Sequence, residues 1–373
     1  MRKKTVVLIP DAGAGVFDRI LYCLAQSKDT EIHVIVNEKK QFYRHSRFIK
    51  TVTICPLEIT NEELQLKIND LCEKLGIDII LPIQESLIHF LSTNKELLPK
   101  NVKIVDLPPS NSLSTVTNKI AFSKHLENNN ISGPLSYVTS DCKLSNIENL
   151  RFPLLFKPHA VTETGMGKGI VLLKEKGELQ KICNEETNNK DGEFLFQEYI
   201  AGYDIGCGVL CKKGEIIAHT IQKDILGDKR NFAPVNGIQM IHDSEVLSIV
   251  ARLMKSLDWN GVAQVDLIYD IAKDRILVLE VNGRYWSTLL ASLRAGVNFP
   301  SLAIQSALGN ELGEKHYSEM NYYNLRGFKF KMRKKPWIVL AFRHIWNHTP
   351  IRYFFKDPMV LFAKLISRAN SVV

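Results

Sequence analysis

Residues Gln264–Arg284 read QVDLIYDIAKDRILVLEVNGR. Two apolar, β-branched runs flank a polar turn at Ala272-Lys273-Asp274-Arg275, the pattern of a β-hairpin. With the turn centred near Lys273, residues whose numbers sum to 546 face each other, so Asp266 stands opposite Glu280 and Gln264 opposite Asn282. Glu280 and Asn282, two apart, share one face of their strand. A slip of one residue or a bulge would change partners and keep the clustering. Like charges directly opposed destabilise a sheet, so a positive group is expected between Asp266 and Glu280. Hard oxygen ligands of this kind suit Mg²⁺, or Mn²⁺ in its place, shared with substrate phosphates. The plainer reading, two solvated strand-edge acids, is weakened by Asn282 and Arg284 immediately beyond.

The chain of 373 residues is 45% hydrophobic and 24% charged, enough for two or three domains with cores that need no disulfide or structural metal. Seven scattered cysteines with no CxxC pair fit a reducing, cytoplasmic setting. Cys207 and Cys211, four apart in an apparent strand, read as buried thiols. No run approaches the roughly 20 apolar residues that span a bilayer, and the apolar run near the start is too short for a secretion signal. From Arg326 onward there are eleven Lys and Arg against one acid, Asp357, a net +10. The remaining residues therefore carry −2 of the overall +8. The basic character belongs to the tail and does not make the whole protein a nucleic-acid binder.

Residues 1–110 alternate strand-like runs (TVVLIP, EIHVIV, IDIILPI, VKIVDL) with helical patterns at Val16–Ala25 and Asn61–Leu75, which predicts a doubly wound parallel sheet. The first loop has only Gly13 and Gly15 of a dinucleotide fingerprint, and no ribose acid follows on the second strand, so NAD is a poor candidate. Gln84-Glu85, just past a strand's C-terminal end, lies where such sheets place ligands, and Glu85 is equally suited to the start of the next helix. Pro108-Pro109-Ser110-Asn111 marks a boundary. A helix over Thr117–Asn128 and the strand LLFKPHA follow, and then Thr162–Gly169, TETGMGKG, whose glycines let backbone N–H groups cradle anionic oxygens. Lys157 precedes that loop on the adjoining strand. Glu198, in the apolar strand FLFQEYI, needs a donor, which the exocyclic amine of a purine would supply. The tail reads as an amphipathic helix over Trp337–Asn347 followed by RYFFKDPMVLFAKLI. His344 and His348 have helical metal spacing but no third ligand. Packing on the body and contact of 326–373 with an anionic membrane surface both remain open from sequence.

Taken in order, these parts resemble the ATP-grasp superfamily, which includes D-alanine–D-alanine ligase, biotin carboxylase and carbamoyl phosphate synthetase. The resemblance spans residues 1 to about 312. It implies an α/β and α+β architecture: a Rossmann-like pre-ATP-grasp domain (1–110), then a two-lobed ATP-grasp domain (111–312, lobes about 111–196 and 197–312). A basic aromatic extension (313–373) follows. It implies that Lys119 and Lys157 contact phosphate and that Gly165, Gly167 and Gly169 form the loop over it. Glu198, with backbone groups of Tyr199 and Ile200, would meet adenine, and Asp204 the ribose. Asp266, Glu280 and Asn282 would hold Mg²⁺, and Arg284 would contact transferred phosphate or substrate. Gly283 replaces the family's usual proline, loosening that turn.

The stretch after Arg284, with FFKDPMVLF, resembles a carboxylate–amine ligase branch associated with amino-acid, polysaccharide or natural-product pathways. The implied reaction activates a carboxylate as acyl phosphate for attack by an amine, both partners being small molecules. A thiol or hydroxyl acceptor, or a non-catalytic nucleotide-binding module at the membrane, are the alternatives the sequence leaves standing. Oligomeric state stays open, a homodimer included.

Overall fold

The computed structural model describes residues 4–139, 151–157, 170–186, 194–226 and 235–370. Five parallel strands open the chain: β1 (Thr5–Ile9), β2 (Thr30–Asn37), β3 (Thr51–Cys55), β4 (Ile79–Ile80) and β5 (Lys103–Ile104), in the order β3-β2-β1-β4-β5. Val7, Leu8 and Ile9 are wholly buried, as befits a strand covered on both faces. The helix Asn61–Leu75 starts at a capping box in which Thr60 and Glu63 exchange hydrogen bonds, and it buries Leu64, Ile68 and Leu71. Strand order reverses between β1 and β4, and doubly wound sheets bind ligands outside the carboxyl ends of strands at such a switch point. There the buried Asp11 accepts the Ile83 N–H at 2.9 Å and also the Gln84 N–H, stitching the β1 loop to the start of helix Glu85–Thr93. Burial pushes the Asp11 carboxyl up to about 7, against the pull of those two amides.

A four-stranded antiparallel sheet follows, with β6 (Ser136–Thr139), β7 (Leu154–Lys157), β8 (Val171–Leu173) and β9 (Phe194–Glu198) in the order β6-β9-β7-β8. Its core is a separate cluster of Leu154, Phe156, Leu173, Leu179 and Phe196. The largest sheet has six antiparallel strands: β10 (Gly202–Lys212), β11 (Glu215–Asp224), β12 (Gly237–Ile241), β13 (Gly261–Asp270), β14 (Arg275–Asn282) and β15 (Met320–Tyr323), in the order β14-β13-β10-β11-β12-β15. Its buried side chains, among them Val209, Val265 and Val278, belong to the same continuous core as Val7 and Leu8 of the first sheet.

Several sequence boundaries move. The helix expected over Thr117–Asn128 forms as Lys119–Asn128, because Asn118 leaves helical geometry and caps it through the N–H groups of Ile120 and Ala121, and a further helix, Ser110–Thr117, precedes it. The large sheet does not end at residue 312. Strand β15 pairs with β12, so the extension begins with a strand of that sheet. The helix expected over Trp337–Asn347 breaks at Ala341 into a 3₁₀ turn, Pro336–Leu340, and a helix, Phe342–His348. The tail also packs on the first domain. Buried Asp357 accepts from the Ser46 hydroxyl and the Arg47 N–H, Lys364 pairs with Asp18 at 2.8 Å, and Tyr353 stacks on Tyr22 with centroids 5.5 Å apart. Among the described residues no helix is long and apolar enough to cross a membrane.

Candidate active site

The hairpin forms with the register expected at its open end. Asp266 pairs with Glu280, Val265 with Val281 and Gln264 with Asn282. A bulge then leaves Leu279 unpaired and shifts the rest by one, so Leu267 meets Val278 and Asp270 meets Arg275. Residues paired across a sheet share a face, so the register carries the polar row onward. Gly206 of β10 pairs with both Asp266 and Gln222, and Gly208 pairs with Gln264. One face of four adjacent strands thus presents Gln222, Gly206, Gln264 and Asp266, then Glu280 and Asn282.

Within that face the Asn282 amide donates to Asp266 Oδ2 at 3.1 Å and to Glu280 Oε1 at 3.3 Å, while Gln264 donates to Asp266 Oδ1 at 3.2 Å. Burial, reinforced by the facing Glu280 charge, pushes the Asp266 carboxyl well up. Two carboxylates and an amide, with burial and the facing acid disfavouring the charged form of Asp266, make a donor set whose ionisation a hard divalent cation would favour. Gln264 adds a buried Oε1 without a hydrogen-bond partner. The residues present therefore fit Mg²⁺. Among the described residues no cluster of three or more His, Cys, Asp and Glu offers a competing metal site, and His344 and His348 stack on each other with no third ligand.

Cations approach from the neighbouring elements. Lys119 opens its helix behind Asn118, and Lys157 ends β7, donating to Gln197 Oε1 at 2.6 Å. Burial lowers the Lys157 amine to about 8, the nearby Lys119 charge adds to that, and Glu280 opposes it. Burial likewise lowers Lys119, again against Glu280. The structure thus gathers the two lysines and the hairpin acid into one electrostatic unit. Arg284 donates to Asn282 Oδ1 at 3.2 Å and lies 3.7 Å from Glu85, which brings the hairpin's end to the switch point between β1 and β4 of the first sheet. On β10, partial desolvation and the Asp224 charge raise Asp204, whose own charge reaches Asp266.

Three sequence expectations change in detail. Glu198 takes its donors from the protein: Leu135 N–H at 3.0 Å, Arg275 at 3.0 Å and Lys273 at 3.4 Å. No purine amine is required to satisfy it, and the residue ties β9 to the turn of the hairpin. The Tyr199 N–H is donated to the Pro153 carbonyl at 3.2 Å, which removes one of the backbone groups expected to face a base. Gly283 does not merely loosen its turn. A Cβ there would lie 2.8 Å from the Leu113 side chain and 3.1 Å from the Trp259 ring, so a proline would have to push both aside. The loop with Gly165, Gly167 and Gly169 lies outside the described residues.

Sequence reasoning missed Gln264 as a buried member of the site, and Gly206 altogether. A Cβ on Gly206 would fall 2.3 Å from Gln264 Nε2 and 3.0 Å from Gln222 Nε2, so glycine is required for those amides to lie over β10. Their two-residue spacing from Asp266 and Asp224 was the available signal. The five cysteines whose side chains are described, Cys23, Cys55, Cys72, Cys207 and Cys211, are free and buried, and burial raises their thiols, Cys207 to about 12.

Comparison with known proteins bears on the same segment. The model of the ATP-grasp domain family matches residues 116–288. The chain is 28% identical over 172 residues to a D-alanine–D-alanine ligase of Neisseria gonorrhoeae (strain NCCP11945), a match covering 42% of this chain and 55% of that one. The chain thus spans about half the length of the curated relatives it matches. Among solved structures, N5-carboxyaminoimidazole synthetase from Staphylococcus aureus complexed with ADP superposes with a TM-score of 0.67 at 15% identity, covering 90% of this chain and 87% of that chain. An L-amino acid ligase from Bacillus licheniformis gives 0.60 at 17% identity, with 83% and 75% covered. At such identities these two likenesses speak to the fold.

Proposed function

We propose, from the premise that this chain carries an ATP-grasp domain, that it is an ATP- and Mg²⁺-dependent ligase joining a small-molecule carboxylate to an amine. The observation that supports this best is the opposed wall of charge, with Asp266 and Glu280 paired across the hairpin and Lys119 and Lys157 held against Glu280. Asp266, Glu280 and Asn282 would hold the cation. A divalent cation held there would supply positive charge that offsets the charge building on the transferring phosphoryl group. Lys119 and Lys157 would meet the remaining phosphate oxygens, where a preorganised positive charge in a partly desolvated site stabilises the transition state most. Arg284, braced by Asn282 and Glu85, would hold the γ-phosphoryl group or the acceptor carboxylate in a bidentate grip.

In this reading a carboxylate oxygen attacks the γ-phosphorus and ADP leaves. The amine then attacks the acyl carbon, inorganic phosphate leaves with the electron pair of the C–O bond, and the amine's proton goes to solvent or phosphate. The D-alanine–D-alanine ligase relatives favour the amino-acid end of the substrate range. A cytoplasmic location goes with this reading. The test is ADP release across paired carboxylates and amines, with hydroxylamine present to trap the acyl phosphate as a hydroxamate. Carboxylate-dependent ADP, phosphate and hydroxamate are expected. AMP and pyrophosphate would mean adenylation and overturn the proposal.

A further inference from the structure

A helix packed on a soluble domain turns apolar residues inward and polar ones out. The tail breaks this rule on the side away from the body. Helix Pro358–Asn370 is fixed inward by buried Val360 and by Lys364, which pairs with Asp18. Its opposite face carries Met359, Phe362 (66% exposed) and Ile366 into solvent. The 3₁₀ turn and the start of the next helix do the same with Trp337 (81% exposed), Leu340 (79%) and Phe342. Single exposed apolar residues need no explanation, but a run of large ones does. Beside this run stand the exposed cations Arg333, Lys334, Lys335 and Arg343. The residues from Arg326 on carry a net +10 while the rest of the chain is nearly neutral.

We infer that this face docks the protein on an anionic phospholipid bilayer, lying on the surface rather than crossing it. Aromatic and aliphatic side chains beside clustered Lys and Arg form the pattern that inserts into the head-group boundary while the cations stay with lipid phosphates. The charge selects this occupant over a second copy of the chain. Two such faces meeting would set Arg333, Lys334, Lys335 and Arg343 of one copy against the same cations of the other, whereas a negative lipid surface complements them. Because Asp357, Tyr353 and Lys364 fasten the tail to the first domain, docking would hold the whole molecule in a fixed orientation to the membrane. The inference is independent of the ligase reading and is tested without reference to turnover.

The experiment is co-sedimentation of the full chain with vesicles of phosphatidylcholine alone and of equimolar phosphatidylcholine and phosphatidylglycerol. Binding is expected only to the second, and it should be lost at about 1 M salt, where the Debye length falls to about 3 Å. Lys334→Gln with Lys335→Gln should lower the partition constant by about fivefold per cation. Trp337→Ser, Leu340→Ser and Phe342→Ser together should remove it. Trp337 and Leu340 are about four-fifths exposed and Phe342, stacked on Trp346, about two-thirds, so the melting temperature should change little and a folding defect is distinguishable. Equal binding to both vesicles, or binding to neither, would overturn the inference. Elution as a dimer that the triple variant converts to monomer, with no vesicle binding, would assign the face to self-association instead.

Discussion

The four-stranded and six-stranded sheets bring opposite charges to one site, and they are built differently. The acids stand on strands β13 and β14, whose core runs without interruption into the first domain. Lys157 stands on β7, whose sheet has its own core of five buried apolar side chains among the described residues. A sheet whose described core is separate from that of the body can shift as a unit, while the acids share the rigidity of the whole body. The geometry of Asp266, Glu280 and Asn282 is therefore set in advance, and the cationic side is the one that adjusts. This division orders the ways in which the site should fail.

The largest effect should come from the rigid side. Glu280→Ala removes one of two opposed carboxylates and should lower substrate-dependent ADP release by about 10³-fold or more, on the scale of losing a preorganised charge. Its stability should hold or rise, because the like-charge opposition and the Asp266 burden disappear with it. A melting temperature that falls together with activity would show that the acids hold the sheet rather than a cation. Turnover retained within a few-fold would remove Glu280 from the machinery.

The adjustable side should respond to pH. Burial and Lys119 lower the free Lys157 amine to about 8, so above that pH the neutral form predominates. Anionic phosphate favours the protonated form, so binding at higher pH must take up a proton. Affinity for ATP should therefore fall about tenfold per pH unit above about 8, until the amine of the complex itself titrates. Lys157→Arg keeps its charge throughout that range and should flatten the slope. Calorimetry in buffers of different ionisation enthalpy measures the proton uptake directly. An unchanged slope in the arginine variant would pass the titration to Lys119.

How much of this could be read from the chain differs between the two sheets as well. The hairpin was legible because its information is local: alternation, a polar turn and two acids at matching distances from it place Asp266 opposite Glu280. The bulge at Leu279 was not, since nothing in the sequence distinguishes it from its apolar neighbours. The strands and helices of the first domain followed from periodicity, although β4 and β5 are only two residues long where longer runs were expected. What stayed hidden depends on partners far apart in sequence. Glu198 is answered by Arg275, 77 residues on, and Gly206 is explained only by amides from β11 and β13. Strand β15 is four residues without alternation, too short to announce that the sheet continues past 312.

The smallest effect concerns the link between the two sheets, and it is the most informative about their difference. Glu198 ends β9 of the smaller sheet, and its carboxylate is gripped by Arg275 and Lys273 at the hairpin turn of the larger one. Glu198→Gln keeps the shape and one acceptor oxygen but removes the charge that holds two cations. With Arg275 about a third exposed and Lys273 more so, the cost to global stability should be about 1 kcal/mol or less. The hinge should register more than the total does. Amide hydrogen exchange in β6, β7 and β9 should accelerate, with protection of β10, β13 and β14 unchanged, because only the smaller sheet depends on that tether for its placement. Uniform acceleration across both sheets would mean that the tether is ordinary surface electrostatics and that the two sheets open as one. Unchanged exchange everywhere would place the hinge in the Leu135 and Pro153 backbone contacts alone, through which β9 is also held.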